Sequence, residues 1–242
     1  MRTPVMRRRL PARSPICFAR LCDSGGMHVG ILGGTGPAGR GLAVRLAASG
    51  VEVTLGSREA ERASGVAREV VARWPGLTLA VDGADNEGAA RADVIVVATP
   101  WDSAIPTVRP LRDVLAGKVV ISMANALAKE GREMLAMIPP RGSVAAAVQA
   151  TLPGSLVAAA FHHLPASEME NLDSGLEADV LVCSDHAEAT GSAMGLIDAM
   201  PGLRPLDTGT LSQAAAIEAF TAVCITLNIR YKVHSTLRMA GI

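Results

Sequence analysis

Apolar and polar positions follow two alternating patterns along this chain. Short apolar runs of strand length recur, and longer segments with helical spacing separate them. The run at residues 93–98 is unbroken, as in a strand that is buried on both faces. Because strand and helix signals keep alternating, the sequence predicts an α/β fold with a mostly parallel sheet that helices cover on both faces.

The same patterns predict the individual elements. Strands are predicted at residues 28–32, 51–57, 77–81, 93–98, 118–122, 156–161, 179–183 and 203–206, and helices at 59–73, 86–91, 103–115, 143–150, 186–200 and 212–230. The last helix is apolar all round and must be buried on most sides, beneath a functional site or across a dimer interface. Pro139 to Gly142 interrupts the chain, so we expect one domain at 27–150 and a smaller α/β domain at 151–242.

A glycine-rich turn follows the first strand. Gly34, Gly36 and Gly39 form Gly-x-Gly-x-x-Gly between strand and helix, and the second strand ends about 20 residues later, as in a Rossmann-type, doubly wound dinucleotide-binding unit. We expect Gly34 to permit the tight turn, Gly36 to admit the pyrophosphate and Gly39 to let the helix lie close to the strand. Pro37 suits the first helical turn, whose amino end then faces the phosphates. A structural turn without a ligand is the alternative.

The end of the second strand indicates which dinucleotide is bound. An acidic residue there would hydrogen-bond a ribose 2′-hydroxyl, whereas Ser57 and Arg58 offer a hydroxyl and a guanidinium that suit a 2′-phosphate. Arg62 lies one helical turn beyond Arg58 and adds a second positive charge. The sequence therefore predicts NADP(H). The alternative is a solvated helix start in which Arg62 pairs with Glu59 or Glu61.

Three further polar residues follow predicted strands. Thr99 and Ser103 come after the strand at 93–98, and Asn125 comes after the strand at 118–122. In open sheets of this type, ligands bind outside the carboxyl ends of the strands. We therefore expect these side chains at the ribose or nicotinamide end of the dinucleotide, with local helix capping as the alternative.

Composition narrows the class of protein. The chain has 242 residues and is 49% hydrophobic, enough for a large core, but only 2% aromatic, which argues against stacking platforms for nucleic acid. Residues 1–26 contain six arginines and one aspartate, so the rest of the chain carries a net charge of −5, which also argues against nucleic acid. This basic leader lacks apolar periodicity, and we expect it to be disordered and dispensable. A transit peptide is the alternative, although Met27 directly precedes the first strand.

Cysteine spacing and hydropathy point to a reducing, aqueous compartment. Two of the four cysteines lie in the leader and two lie inside apolar runs, without metal-type spacing. The apolar helix around 214–229 carries Glu218 and Asn228 and is shorter than the roughly 20 residues of a membrane span. We therefore expect a cytoplasmic protein without a bound metal or a membrane partner.

Two of the five histidines, His162 and His163, are adjacent at the end of the strand predicted at 156–161. Neighbouring side chains of a strand point to opposite faces, so His162 and Leu164 should share one face and Phe161 and His163 the other. The run of alanines before them leaves space for a flat ring. In the alternative, His162 binds a local backbone carbonyl.

Residues 27–242 resemble the NADPH-dependent reductases of the 8-hydroxy-5-deazaflavin coenzyme F420. Five motifs carry the resemblance in order: Gly33-Gly34-Thr35-Gly36, Gly56-Ser57-Arg58, Pro100-Trp101-Asp102, Ala160-Phe161-His162-His163-Leu164-Pro165-Ala166, and Gly202-Leu203-Arg204-Pro205-Leu206-Asp207-Thr208-Gly209. The leader and the basic tail after Asn228 depart from the family, which leaves the C-terminal contacts open.

The resemblance implies reversible hydride transfer between NADP(H) and coenzyme F420. In such enzymes the turn from Thr35 to Ala38 and the Ser-Arg pair hold NADP, while His162, Leu164 and Ala166 lie where the deazaflavin meets the nicotinamide. We assign His162 to orienting the deazaflavin and Leu164 to an apolar wall behind the rings. The chemistry resides in the two bound molecules, so the protein need only hold them face to face at about 3–3.5 Å and exclude water.

Two other functions stay open at this point: an NADPH-dependent reductase of another acceptor, such as a flavin or a ferric chelate, and a non-catalytic NADP(H) sensor. A β-hydroxyacid dehydrogenase is disfavoured, because about 90 residues after residue 150 are too few for its large helical domain. In addition, none of the three lysines stands at a plausible catalytic position. We expect a homodimer that acts on small molecules.

Overall fold

The computed structural model describes residues 26–242. The leader predicted at 1–26 therefore lies, except for Gly26, outside the described residues, and its disorder and dispensability stay predictions. The described strands are β1 (His28–Leu32), β2 (Glu52–Ser57), β3 (Val81–Asp85), β4 (Val94–Val97), β5 (Val119–Ser122), β6 (Leu127–Glu130), β7 (Glu133–Ala136), β8 (Leu156–Ala159), β9 (Ala178–Ser184) and β10 (Leu203–Asp207). The helices are α1 (Pro37–Ala48), α2 (Ala60–Ala72), α3 (Asn86–Ala89), α4 (Trp101–Val108), α5 (Val144–Thr151), α6 (Ala166–Glu170), α7 (Ala187–Ala199) and α8 (Ala214–Tyr231), with 3-10 turns at Arg109–Leu111 and Leu211–Gln213.

One sheet of eight strands organises the fold, in the order β10-β9-β8-β5-β4-β1-β2-β3. Neighbouring strands in it are parallel, except that β8 and β9 are antiparallel. The hairpin of β6 and β7 stands apart from it. The mostly parallel, Rossmann-type α/β fold expected from the sequence is confirmed.

The central strands are buried on both faces. In β4, Val94 and Val96 face one apolar core and Ile95 and Val97 face the other, and none of the four is more than 2% exposed. Helices α1, α2 and α7 contribute to the first core, and α4 and α5 contribute to the second. Alternate side chains of a strand point to opposite faces, so an unbroken apolar strand is buried by both layers.

Several elements differ from those predicted. The strand predicted at 77–81 begins where the prediction ends, because β3 is an edge strand of polar and small residues without an apolar run. The helix predicted at 103–115 begins at Trp101 and ends at Val108, and Pro110, which lacks a backbone N–H, lies in the 3-10 turn that follows. The β6–β7 hairpin has no counterpart among the predicted elements.

The residues after 150 continue the same sheet. β8 pairs with β5 in parallel, and β9 and β10 extend the sheet beyond it. The division into domains at 27–150 and 151–242 thus separates strands that hydrogen-bond to each other, and it stays a prediction.

Helix α8 is buried along one half only. Ile217 and Thr221 are 4% exposed, whereas Val223, Leu227 and Tyr231 are 52%, 41% and 71% exposed. The expectation that this helix is buried on most sides is therefore wrong for its C-terminal half in the single chain. The C-terminal half of α8 thus forms an apolar face that the chain itself leaves uncovered, and such faces mark interaction surfaces.

The segment Leu211–Tyr231 has 21 residues and a mean hydropathy of 1.3, so by length and composition alone it could cross a membrane. The expectation that it is too short does not hold. In this fold, however, the carboxylate of Glu218 is buried and accepts hydrogen bonds from the backbone amides of Val144 at 2.8 Å and Ala145 at 3.0 Å, in the first turn of α5. These contacts dock the helix against α5.

Candidate active site

The glycine turn joins β1 to α1. Gly33 adopts the left-handed conformation (φ 67°), so the tight turn lies at Gly33 and not at Gly34 as expected. Gly34 lacks room for a side chain, because a Cβ there would lie 2.7 Å from the carbonyl oxygen of Ile31. Gly39 lacks room as well, because its Cβ would lie 2.6 Å from the Cα of Gly34. Helix α1 therefore begins directly against the turn.

The amino end of α1 is open. Gly36 is the N-cap, and a Cβ there would have no neighbour closer than 4.0 Å. Pro37 occupies the first helical position, no side chain caps the first turn, and Thr35 and Ala38 lie half-buried beside it. Uncapped amides at an open helix end attract anions. This end of α1 therefore fits a phosphate group.

Two cations follow β2 in the sequence. Ser57 is the buried last residue of β2, whereas Arg58 and Arg62 are exposed. Within residues 26–242 neither guanidinium takes part in a hydrogen bond or an ion pair, so the alternative pairing of Arg62 with Glu59 or Glu61 is not seen there. Both charges are available to an anionic ligand.

Three neighbouring strands end side by side at one edge of the sheet. Val97 of β4 is in register with Ser122 of β5, which is in register with Ala159 of β8. Close to this line, several side-chain atoms are buried without a hydrogen-bond partner: Oγ1 of Thr99, Oγ of Ser122, Oδ1 of Asn125 and both ring nitrogens of His162. Buried polar atoms are nearly always paired, so this group of exceptions points to a ligand.

Thr99 and Asn125 thus lie at the carboxyl ends of strands, as expected, and no side chain caps the nearby α4. Asn125 instead donates from Nδ2 to the carbonyl oxygen of His162 at 3.0 Å, which joins the end of β5 to the histidine segment. Ser103 lies half-buried in the first turn of α4, where its hydroxyl donates to Asp102 at 3.2 Å.

The two histidines lie in a turn and not in a strand. β8 ends at Ala159, and Phe161 adopts a left-handed conformation (φ 67°). The prediction that His162 and Leu164 share one face while Phe161 and His163 share the other is therefore wrong, because strand alternation does not continue past Ala159. Both histidines are buried, each 4% exposed. A phenylalanine seldom adopts positive φ, so the surrounding contacts must hold this turn.

The two histidines have different hydrogen-bond partners. The carbonyl oxygen of His162 accepts hydrogen bonds from Asn125 at 3.0 Å and from the hydroxyl of Thr221 at 3.2 Å. Nε2 of His163 donates to the carbonyl oxygen of Asp179 at 2.8 Å. The alternative of a histidine bound to a backbone carbonyl therefore applies to His163. The backbone of His162 is fixed while its ring has no protein partner.

Both imidazoles are neutral at neutral pH. Burial, reinforced by the adjacent His163, lowers the pKa of His162 to about 3; a backbone contact with Met123 that does not meet hydrogen-bond geometry opposes the shift. Burial also lowers the pKa of His163, against the effect of its bond to Asp179. A neutral imidazole donates one hydrogen bond and accepts another, so His162 can orient a planar ligand without adding a charge.

Leu164 and Ala166 lead away from the histidine turn. Leu164 is half-buried and packs against the core that contains α1. Ala166 is the first residue of α6. This segment therefore connects the sheet edge to a short helix that packs on α1.

Asp179 ties the histidine turn to the C-terminal tail. Its buried carboxylate accepts two hydrogen bonds from Arg204, of 2.7 and 2.6 Å, and this pairing lowers the pKa of Asp179 to about 2. Arg238, at 3.4 Å, and the amide of Met239 bind the same carboxylate. The basic tail singled out in the sequence therefore lies against the strand that holds His163.

The sequence analysis missed three residues of this region. Ser122 is the last residue of β5, and that position alone could have found it. Asp179 and Thr221 belong to β9 and α8, whose approach to the histidine turn leaves no local pattern in the sequence.

The size of the surface clefts does not identify this edge of the sheet as the binding site. A cleft of about 750 Å³ lies at the opposite end of β4 and β5, between Arg91 and Lys118. There the amine of Lys118 already donates to the carbonyl oxygens of Ala90 at 2.8 Å and Ala92 at 2.9 Å. The clustering of unpaired buried groups, and not cleft size, distinguishes the candidate site.

This chain is similar in sequence to proteins of known function. A family model described as NADP oxidoreductase coenzyme F420-dependent matches residues 28–126. The F420-dependent NADP reductase of Methanocaldococcus jannaschii is 36% identical over 217 residues, which cover 87% of this chain and 96% of that protein. The reductase of the same name from Methanothermobacter thermautotrophicus is 36% identical, covering 86% and 92%. This chain belongs to the family of F420-dependent NADP reductases.

A solved structure extends the agreement to the fold. A protein from Arthrobacter sp. FB24, provisionally named an F420-dependent NADP reductase, superposes with a TM-score of 0.75 and 27% identity, covering 89% of this chain and 100% of that one. As a member of the reductase family, this chain is an oxidoreductase.

The described residues fit the two molecules that the family name implies. The open position at Gly36 and the unpaired Arg58 suit the phosphates of a dinucleotide. The unpaired atoms of Ser122, Asn125 and His162 suit the polar edges of flat heterocycles.

His162→Asn should change how stability depends on pH. An unfolded histidine titrates near pH 6.5, whereas folded His162 titrates at about 3. Between these values the unfolded chain binds a proton that the folded chain does not, so this group costs the wild type about 2 kcal/mol on going from about pH 7 to about pH 5. The variant lacks this histidine and does not lose that stability. The difference in free energy of unfolding between wild type and variant, measured with denaturant, should therefore be smaller at about pH 5 than at about pH 7.

Glu218 acts in the opposite direction, because burial raises its pKa to about 7 and its contribution to stability is lost as the pH rises. It is present in both proteins and cancels in the difference. Stability curves that stay parallel would contradict the assignment to His162.

Proposed function

We propose that this protein catalyses reversible hydride transfer between NADP(H) and coenzyme F420. The observation that carries the proposal is the row of buried, unpaired polar groups at the ends of β4, β5 and β8, next to an open glycine turn. Membership of the reductase family supplies the identity of the two molecules. The roles given below to individual residues are part of the proposal.

The dinucleotide would lie along the glycine turn. Gly34, Thr35, Gly36, Pro37 and Ala38 would surround the pyrophosphate, with the open amino end of α1 facing its charge. At the end of β2, Ser57 and Arg58 would bind the 2′-phosphate and Arg62 would add a second charge. The unpaired guanidinium of Arg58 supports this role, because a bidentate phosphate contact would not displace an internal ion pair.

The reacting rings would meet at the sheet edge. Thr99, Ser103 and Asn125 would hold the nicotinamide end, while His162, Leu164 and Ala166 would line the deazaflavin. When bound, the two rings supply the hydride donor and acceptor. The protein orients them, and its neutral, buried His162 offers a donor and an acceptor without bringing in water.

The acceptor is tested by mixing the protein with NADPH and oxidised F420 and following the visible absorbance of the deazaflavin. Parallel reactions contain a free flavin or a ferric chelate instead. Rapid reduction of F420 and slow reduction of the others is expected. Faster reduction of flavin or ferric chelate would identify another acceptor, and no turnover with any of them would favour an NADP(H)-binding sensor.

Arg58→Ala should weaken NADPH binding and leave NADH binding nearly unchanged. Loss of a bidentate, charge-assisted phosphate contact costs on the order of 1.5–3 kcal/mol, or about 10- to 150-fold in affinity. Arg68→Ala is the matched control, since Arg68 is an exposed arginine of α2, the helix that follows Arg58. Equal losses for both dinucleotides would show that Arg58 does not bind the 2′-phosphate.

His162→Ala and His163→Ala should differ in their kinetics. His162→Ala should lower kcat/KM for the deazaflavin at saturating NADPH and leave NADPH affinity within a factor of a few. His163→Ala should mainly lower thermal stability, because its ring binds Asp179 and packs edge-on against Phe220 at a centroid distance of 6.5 Å. A folded His163→Ala that is inactive beside a fully active His162→Ala would reverse the assignment.

We also propose that the protein is a cytoplasmic homodimer. The groove between β7 and α8 is lined by Leu135, Val223, Leu227 and Tyr231, which are 40%, 52%, 41% and 71% exposed. A second copy would cover this apolar face. A membrane is the less suitable occupant, because the buried carboxylate of Glu218 binds two backbone amides of α5 and holds the helix in the fold.

Leu227→Glu should therefore convert a dimer to a monomer in sedimentation velocity, since a charge would be buried at the interface. Leu77→Glu is the control, because Leu77 is 47% exposed and lies outside the groove. A monomeric wild type would overturn the proposal.

A further inference from the structure

Helix α6 is the junction between the two halves of the candidate site. It begins at Ala166, at the end of the segment that carries His162 and Leu164, and it packs directly on α1, whose amino end forms the glycine turn. A change in the separation of α1 and α6 would therefore alter the distance between the phosphate-binding turn and the segment that carries His162 and Leu164.

A glycine outside the dinucleotide motif allows this contact. A Cβ at Gly41 would lie 2.7 Å from the Cβ of Met169 and 3.0 Å from the carbonyl oxygen of Ala166. Real Cβ contacts essentially never fall below 3.0 Å, so a side chain at Gly41 would force the two helices apart by several tenths of an ångström. The helices touch through their backbones at this point.

One turn further along α1, a buried arginine fixes the other end of α6. Nε of Arg45 donates to the carbonyl oxygen of Met169 at 3.1 Å, and Nη2 donates to those of Glu168 at 2.7 Å and Asn171 at 2.8 Å. Arg45, in the last turn of this sheet-covering helix, is only 8% exposed. Its planar fork satisfies the carbonyl groups that the end of a helix leaves unpaired.

We propose that Gly41 and Arg45 are positioning residues for hydride transfer, which set the separation between the dinucleotide and the deazaflavin by holding α6 at a fixed distance from α1. The inference rests on the proposed function. Gly41 determines how closely the helices approach, and Arg45 prevents α6 from sliding or tilting. Neither residue touches the reacting rings.

Transfer of a hydride depends steeply on the approach of the two rings. A misplacement of about 1 Å can cost about 100-fold in rate, even when it originates away from the chemistry. A displacement of several tenths of an ångström at Gly41 should therefore slow the hydride step by about tenfold. Affinity for NADPH depends on the glycine turn and Arg58 and should stay within about twofold.

The first test compares Gly41→Ala with Gly65→Ala. Both are glycines within helices that follow the first two strands, but a Cβ at Gly65 would meet nothing within 4 Å. Turnover with F420, NADPH dissociation constants and the primary isotope effect with NADPH deuterated at the transferred position are measured for each. Gly41→Ala should show the tenfold lower kcat and a larger isotope effect, and Gly65→Ala should match the wild type.

The second test compares Arg45→Lys with Arg73→Lys. Lysine keeps the charge at Arg45 but loses the fork that reaches four carbonyl oxygens, those of Glu168, Met169, Asn171 and Ser174. Arg73 also contacts α6, through a half-exposed ion pair with Glu170 at 3.2 Å, and its replacement should have little effect. Arg45→Lys should again lower kcat and raise the isotope effect with NADPH affinity preserved. Arg45→Lys adds no atom to the interface between α1 and α6. If Gly41→Ala does not fold, Arg45→Lys therefore provides the test of the positioning role.

The outcomes separate the inference from the proposed function. A wild type that does not reduce F420 would refute the proposed function. An active wild type beside folded Gly41→Ala and Arg45→Lys variants with unchanged kcat and isotope effect would overturn only the positioning role. A parallel loss of NADPH affinity and turnover would also overturn it, because the residues would then act through the phosphate turn.

Discussion

The direction of the strands is the constraint on which the candidate site depends. β1, β2, β4, β5 and β8 run parallel, so their carboxyl ends reach the same edge of the sheet. β9 runs the other way, and its beginning therefore reaches this edge too. That reversal is what brings Asp179 beside His163. A fully parallel sheet would have placed this acid at the opposite edge.

The polar groups at this edge differ in whether the protein itself supplies their hydrogen-bond partners. Asp179 and Glu218 are buried with carboxylates that accept hydrogen bonds inside the protein, and Nε2 of His163 is bound to a backbone carbonyl while its Nδ1 lacks a partner. His162 and Ser122 are buried with side-chain atoms that lack a partner. An unpaired buried polar group costs roughly 1–3 kcal/mol, and the occurrence of several of them in one place supports the proposal that a ligand supplies the missing partners.

The two halves of helix α8 have different surroundings. Its first half holds the carbonyl group of His162 through Thr221 and binds α5 through Glu218. Its second half presents Val223 and Leu227 to the surroundings. The site and the exposed apolar face are thus properties of a single rigid helix, and a partner that covered the second half would stabilise the first.

The sequence by itself predicted the glycine turn and the parallel sheet around it. The glycine motif, the Ser-Arg pair and the apolar strand at 93–98 are local patterns, and local patterns report the fold, the turn and the chemistry of neighbouring residues. The positions of Thr99 and Asn125 just after strands were predicted in the same way, and the carboxyl edge of a parallel sheet is a general binding position. The order of the five motifs indicated the family of F420-dependent reductases.

Only the tertiary structure decided the second half of the site. The left-handed Phe161 ends strand alternation, and nothing in a pattern of period two announces such a break. Which histidine is held and which ring is left unpaired depends on Asp179 and Thr221, which approach from distant segments. The contact of Gly41 and Arg45 with α6 is likewise invisible in sequence, because it depends on how closely two helices more than 100 residues apart are packed.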